Sequence, residues 1–121
     1  YASSDLAVLS PIAGESFGIA LLEAYATGRC CVATDVGGVK DLVLGGQTGM
    51  LVPPNSEDAL AKALVEVLWD ADLRSRMGAA GRARVLEKFT PGILADRAEK
   101  LFKKLCPESH ASFALKQKKA P

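Results

Sequence analysis

The sequence predicts an α/β domain on a parallel sheet, and more narrowly the second half of a doubly wound one, with helices at its C-terminal end. Three observations lead to that class. The runs Leu6-Ala7-Val8-Leu9, Cys30-Cys31-Val32-Ala33-Thr34 and Met50-Leu51-Val52 are short and apolar, without polar alternation. Strands covered on both faces of a parallel sheet read this way. Each run is followed by a turn and then a helical pattern, the alternation of α/β architectures. Finally, three strands are few for such a sheet, and the chain opens almost directly on one of them. The other strands are therefore expected upstream, in a longer protein, and the start Tyr1-Ala2-Ser3-Ser4-Asp5 has no initiator Met. On this reading Leu6–Leu9 is an exposed edge, able to pair with other chains.

The elements follow in order. Asp5 precedes the first strand and Ser10-Pro11 stops it. Ser16 is placed to cap a helix over about Phe17 to Ala26. Ile19, Leu22 and Ala26 recur at helical spacing, with Leu21 adding a second apolar face. Gly28 stands where helices end. After the second strand comes the glycine turn Asp35-Val36-Gly37-Gly38, then a short helix from about Val39 to Leu44. The turn Gly45–Gly49 leads into the third strand, and Pro53-Pro54 closes it. Asn55 or Ser56 caps the next helix, with Glu57 and Asp58 in its first turn, where negative charge is favoured. Leu60, Ala63, Leu64, Val67 and Leu68 form its apolar stripe. A further helix runs from Asp72 through Leu73, Met77, Ala80 and Val85 to about Lys88, and a last one from Thr90-Pro91 to about Leu105. From Pro107 the chain is polar and Lys-rich, and reads as a loose tail.

Composition excludes several functions. With 49% hydrophobic and 24% charged residues, the 121-residue chain is globular rather than disordered. A net charge of +1 gives no field to recruit nucleic acid or anionic lipid. Arg74, Arg76, Arg82, Arg84 and Lys88 lack aromatic interleaving and read as the wet face of a helix. No apolar run is long enough to span a bilayer, and no signal peptide is visible. Cys30 and Cys31 are adjacent in an apolar run and Cys106 is distant, with no zinc-like spacing. They read as buried thiols in a reducing compartment. His110 lies in the polar tail and takes no role.

Chemistry is sought at the turns after the strands, because ligands of open α/β sheets bind outside the carboxyl ends of the strands. The first turn holds Glu15, followed by the amides of Phe17, Gly18 and Ile19 at a helix start, where N–H groups and a partial positive charge can hold an anion. The second holds Gly37 and Gly38, which read either as a tight turn or as backbone that lets a ligand approach. Glu23 lies eight residues after Glu15, about 80° around a helix, so spacing alone leaves it between a surface acid and a ligand contact.

The stretch Glu15-Ser16-Phe17-Gly18-Ile19-Ala20-Leu21-Leu22-Glu23 resembles the acid-seven-residues-acid motif of retaining nucleotide-sugar glycosyltransferases with the GT-B fold, especially glycosyltransferase family 4. The likeness continues in order through Ser10-Pro11, Ala26-Thr27-Gly28, Val32-Ala33-Thr34, Val36-Gly37-Gly38, Thr48-Gly49 and Leu51-Val52-Pro53-Pro54. Arg74, Met77, Gly78 and the Phe89-Thr90 junction also fit. Cys30 and Lys40 depart from it, since the family often has Pro at both.

The resemblance implies that residues 1–105 are part of the C-terminal, nucleotide-sugar-binding domain of a two-domain transferase, with 106–121 a flexible tail. It implies Glu15 as the catalytic-site acid beside the donor sugar. Ser16, Phe17, Gly18 and Ile19 would bind donor sugar and diphosphate, and Glu23 the ribose hydroxyls. Gly37 and Gly38 are further candidates. A nucleotide sugar is the expected partner, together with an acceptor of unspecified kind and the N-terminal part of the same enzyme. No cofactor and no metal are expected. The cytoplasm, with peripheral association at the inner membrane face, is the expected location. The fragment alone is expected to be inactive. A non-catalytic sugar-nucleotide-binding module, or a GT-B relative such as a sugar-nucleotide epimerase, are the alternatives.

Overall fold

Alternation within the middle apolar run decides how the layers are built. In the structure, a computed structural model that describes residue 1 and residues 3–105, this run is strand β2 (Cys30–Thr34), and all five of its residues are buried. It lies between β1 (Leu6–Leu9) and β3 (Gly49–Val52), both parallel to it, in the order β1-β2-β3. The register sets Val8 beside Val32 and Ala33 beside Leu51. The expected class, half of a Rossmann-like doubly wound sheet, is the one observed, and β1 is an edge strand among the described residues.

The chain divides into two compact units, Tyr1–Glu87 and Lys88–Pro121. In the first, successive residues of β2 point to opposite faces. Cys30 and Val32 form one core with Val52, with Ala63 and Val67 of α3 (Glu57–Trp69) and with Met77 of α4 (Ala71–Lys88). On the other face α1 (Ile19–Ala26) packs on β1 and β2 and buries Leu21, Ala24 and Tyr25. The short α2 (Val39–Leu42) buries Val39 and Leu42. From the second unit the structure describes α5 (Pro91–Leu105), which starts with the Thr90 hydroxyl accepting from the Ile93 amide. The Lys-rich tail, Cys106 and His110 lie outside the described residues. Among those described, no helix is long and apolar enough to cross a membrane.

Four expectations are corrected. Helix α1 begins at Ile19 rather than Phe17, and its cap is Gly18, in the left-handed region at φ 80°, rather than Ser16. Its buried stripe is Leu21, Ala24 and Tyr25, while Ile19 is 67% exposed and Ala26 lies outside the core. The helix is apolar on both sides, so spacing fits two stripes, and its packing on β1 and β2 selects one. Leu68 is 50% exposed, because α3 offers its sheet-facing stripe only as far as Val67. In α4, Ala80 is exposed and Gly81 is buried in its place.

The fourth correction concerns two arginines. Arg74 donates to the carbonyls of Val67 and Leu68 at the end of α3. Arg84 donates to Leu42 O at 3.2 Å and Asp41 O at 2.7 Å, at the end of α2. Both satisfy helix-terminal carbonyls that have no partner within their own helix. They join elements rather than forming a solvated face.

Tyr25 ties the second face together. Its hydroxyl donates to Thr48 Oγ1 at 3.0 Å, and the same oxygen accepts from the Leu44 amide at 2.9 Å. α4 reaches this ring only because Gly81 has no side chain. A Cβ there would lie 2.3 Å from the ring of this fully buried tyrosine. Gly81→Ala is therefore expected to destabilise the fold by roughly 1–3 kcal/mol through overpacking, despite the better helix propensity of Ala. Gly92→Ala, where nothing lies within 4 Å, should be neutral or better. Urea unfolding of the two variants checks the contrast.

Burial, and then the neighbouring Cys30, push the Cys31 thiol from its ordinary 9.0 up to about 12, and burial raises Tyr25 as well. Between those two pH values the unfolded chain gives up the Cys31 proton and the folded chain keeps it. Stability is thus complete below about pH 9 and declines as pH rises toward 12. Thermal midpoints measured across that range should fall steadily, and Cys31→Ser should flatten the decline.

Candidate functional site

The carboxyl ends of the three strands deliver three loops to one edge of the sheet. The first, from Ser10 to Gly18, is held at its start by Thr34, the last residue of β2, whose hydroxyl donates to Pro11 O at 2.7 Å. The second leaves β2 with the Asp35 amide donating to Val52 O at 2.8 Å and turns through Val36, whose carbonyl accepts from Val39. The third ends at Ser56, the N-cap of α3, where Ser56 Oγ accepts from the Ala59 amide.

Glu15 sits on the first loop, half-buried, and its side chain turns back on its own chain. Oε1 accepts from the Phe17 amide at 3.2 Å and from the Gly18 amide at 2.9 Å. The carboxylate is placed where the helix start offers backbone donors. The role expected of the Ser16 hydroxyl is filled by Glu15, one residue earlier. Both bonds fall on Oε1, so Oε2 retains acceptor capacity toward a hydroxyl donor.

The structure brings some of the expected residues together. Phe17 and Gly18 meet Glu15 through their amides. Ser16 is exposed, and Ile19 opens α1. Glu23 is exposed on α1. Partial loss of water, and then the Glu23 charge, raise the Tyr1 pKa. Gly37 and Gly38 press against the backbone of Glu15 and Ser16: a Cβ on either would fall 1.9 Å and 2.2 Å from the respective carbonyl oxygens.

A pocket of ≈ 270 Å³ opens at the same edge. Ser10 and Ile12 line it from the first loop, Thr34 from β2, and Asn55, Ser56 and Glu57 from the start of α3. None of Glu15, Ser16, Phe17, Gly18, Ile19 or Glu23 lines it. Its signal in the sequence was the position of these residues after strand ends. Asn55 adds a backbone signal that the sequence did not reveal, a φ of 58° in a residue other than glycine. Among the described residues no group of three or more His, Cys, Asp or Glu could hold a metal ion.

Comparison with known proteins shows the family. Residues 1–84 match the family model of the glycosyl transferases group 1. The chain is 34% identical over 110 residues to the alpha-maltose-1-phosphate synthase of Mycobacterium tuberculosis, covering 86% of this chain and 28% of that protein. It is 37% identical over 100 residues to the phosphatidyl-myo-inositol mannosyltransferase of Mycobacterium leprae, covering 83% and 26%. HepE of Anabaena, solved in complex with UDP-glucose, matches with a TM-score of 0.76 at 29% identity, over 83% of this chain and 28% of that one. The chain thus spans less than a third of the length of these relatives. Its parallel sheet is that of the GT-B glycosyltransferases among its structural neighbours, and with residues 1–84 under the family model the chain belongs to the glycosyl transferases group 1.

Proposed function

We propose that the chain is the donor-side part of a retaining glycosyltransferase, which moves a sugar from a nucleotide diphosphate to a sugar, lipid or small-molecule acceptor. The observation that carries this reading is Glu15, a carboxylate fixed by two backbone amides at a helix start on the carboxyl edge of a parallel sheet. Family membership and the nucleotide sugar bound by HepE support it.

In transfer, the bond from the sugar to the diphosphate oxygen breaks and one to the acceptor oxygen forms. Oε2 of Glu15 accepts from a donor sugar hydroxyl. Ser16, Phe17, Gly18 and Ile19 form the loop and helix start along the sugar and diphosphate, where the helix dipole favours the charge that grows on the leaving group. Glu23 accepts from the ribose hydroxyls, a vicinal diol suited to a two-oxygen acceptor. The reading needs no metal and no cofactor. It places the enzyme in the cytoplasm, with peripheral contact at the inner membrane face, and leaves the 121-residue stretch inactive without the rest of the protein.

Two variants of the whole protein test it, assayed against UDP-, GDP- and ADP-glucose. Glu23→Ala removes a charged hydrogen-bond acceptor worth about 1.5–3 kcal/mol, so affinity for the nucleotide diphosphate should drop about 10- to 100-fold by calorimetry. An unchanged affinity would remove Glu23 from the ribose site. Glu15→Gln keeps a carbonyl oxygen for the Phe17 and Gly18 amides but loses the charge. Its turnover should fall on the order of 100-fold with the thermal midpoint nearly unchanged. A product of inverted anomeric configuration by NMR would contradict the retaining assignment.

A further inference from the structure

The glycine pair of the second loop has a role that neither of its sequence readings supplies. Gly37 and Gly38 follow one another along two successive carbonyls of the first loop, those of Glu15 and Ser16. The two positions make their demand differently. Gly37 stands at φ 52°, so both its conformation and its contact require glycine. Gly38 stands at φ −84°, ψ 0°, which any residue adopts. Only contact excludes a side chain there: a Cβ would lie 2.2 Å from Ser16 O, 3.2 Å from Ser16 C and 3.5 Å from Phe17 Cα. Each of these is backbone, which cannot swing aside as a side chain can.

The first loop is therefore held at its start by β2 and at its end by the loop that follows β2. Thr34 fixes its start through Pro11 O, and the glycine pair braces its end from behind. The braced segment carries the Glu15 carboxylate and both amides that orient it. We infer that Gly37 and Gly38 are positioning residues that set the Glu15–Phe17 backbone, and through it the Glu15 carboxylate, by close backbone contact rather than by touching a ligand. The consequence for turnover rests on the proposed function of Glu15, whereas the brace itself does not.

Gly38→Ala in the whole protein is the discriminating variant, because it introduces the contact without a backbone penalty. Gly46→Ala is its control, at φ 78° with nothing within 4 Å. Hydrogen exchange at the Phe17 and Gly18 amides should accelerate at least 10-fold in Gly38→Ala and stay within twofold in Gly46→Ala, with Val32 and Ala33 in β2 keeping their protection in both. Turnover of whichever of UDP-, GDP- and ADP-glucose the enzyme consumes should fall on the order of 100-fold, as for an ångström-scale displacement of a reacting group.

Unchanged exchange at Phe17 and Gly18, or equal acceleration throughout β2, overturns the inference. So does a loss of donor affinity without faster exchange, which would make Gly38 a ligand contact. Faster exchange with full turnover keeps the brace and overturns the role of Glu15. Should Gly38→Ala fail to fold, native-state exchange of the wild type decides. The amides of Phe17 and Gly18 and those of Val39 and Asp41 should open in one step, and independent opening overturns the brace.

Discussion

Strand β2 has no solvent on either face, and the rest of the described fold answers to that. A strand buried on both sides needs backbone partners left and right and apolar cover above and below. β1 and β3 supply the first, α1 and α3 the second. The loops at its carboxyl end are tied to it by hydrogen bonds and close contacts. Thr34 closes the strand and holds Pro11, Asp35 follows and holds Val52, and the glycine pair comes two residues later. The position of Glu15 is thus referred back, through short backbone contacts, to the best-buried segment of the chain.

Much of the fold was legible because β2 and its neighbours announce themselves chemically. Continuous apolar runs bounded by Gly, Pro and Ser permit few alternatives, and the observed strands agree with them to within a residue. Side-chain direction was less legible. α1 is apolar over most of its surface, so its sequence cannot say which side faces the sheet. Arg74 and Arg84 look like surface charges in one dimension, since the carbonyls they meet belong to other helices. Position along the chain carries no information about a partner 42 residues away.

The candidate site shows the same division. Glu15 and its following amides could be placed by a rule about strand ends and helix starts, and the family pattern singled out the same residues. What could not be read was that Glu15 would satisfy those amides itself. Nor could the path of the loop be read, since the left-handed turn at Gly18 is a conformation that the residue type permits without prescribing. Likewise two adjacent glycines report that side chains are absent, but only the packed structure shows which neighbour fills the space.

The two bonds from Arg84 to the end of α2 also bear on the order in which the molecule assembles. A growing chain leaves the ribosome from its N-terminus, so β1, α1, β2 and α2 all emerge before Arg84 does. Until α4 is synthesised, the last carbonyls of α2 must be served by water and the Tyr25 ring lacks its cover at Gly81. The early elements can pair through near neighbours in sequence, which is the fast part of folding. Docking of α4 is the late, long-range closure. A nascent or truncated chain stopped before Gly81 would carry all three described strands and still leave an aromatic face open to other chains, an exposure that chaperones recognise.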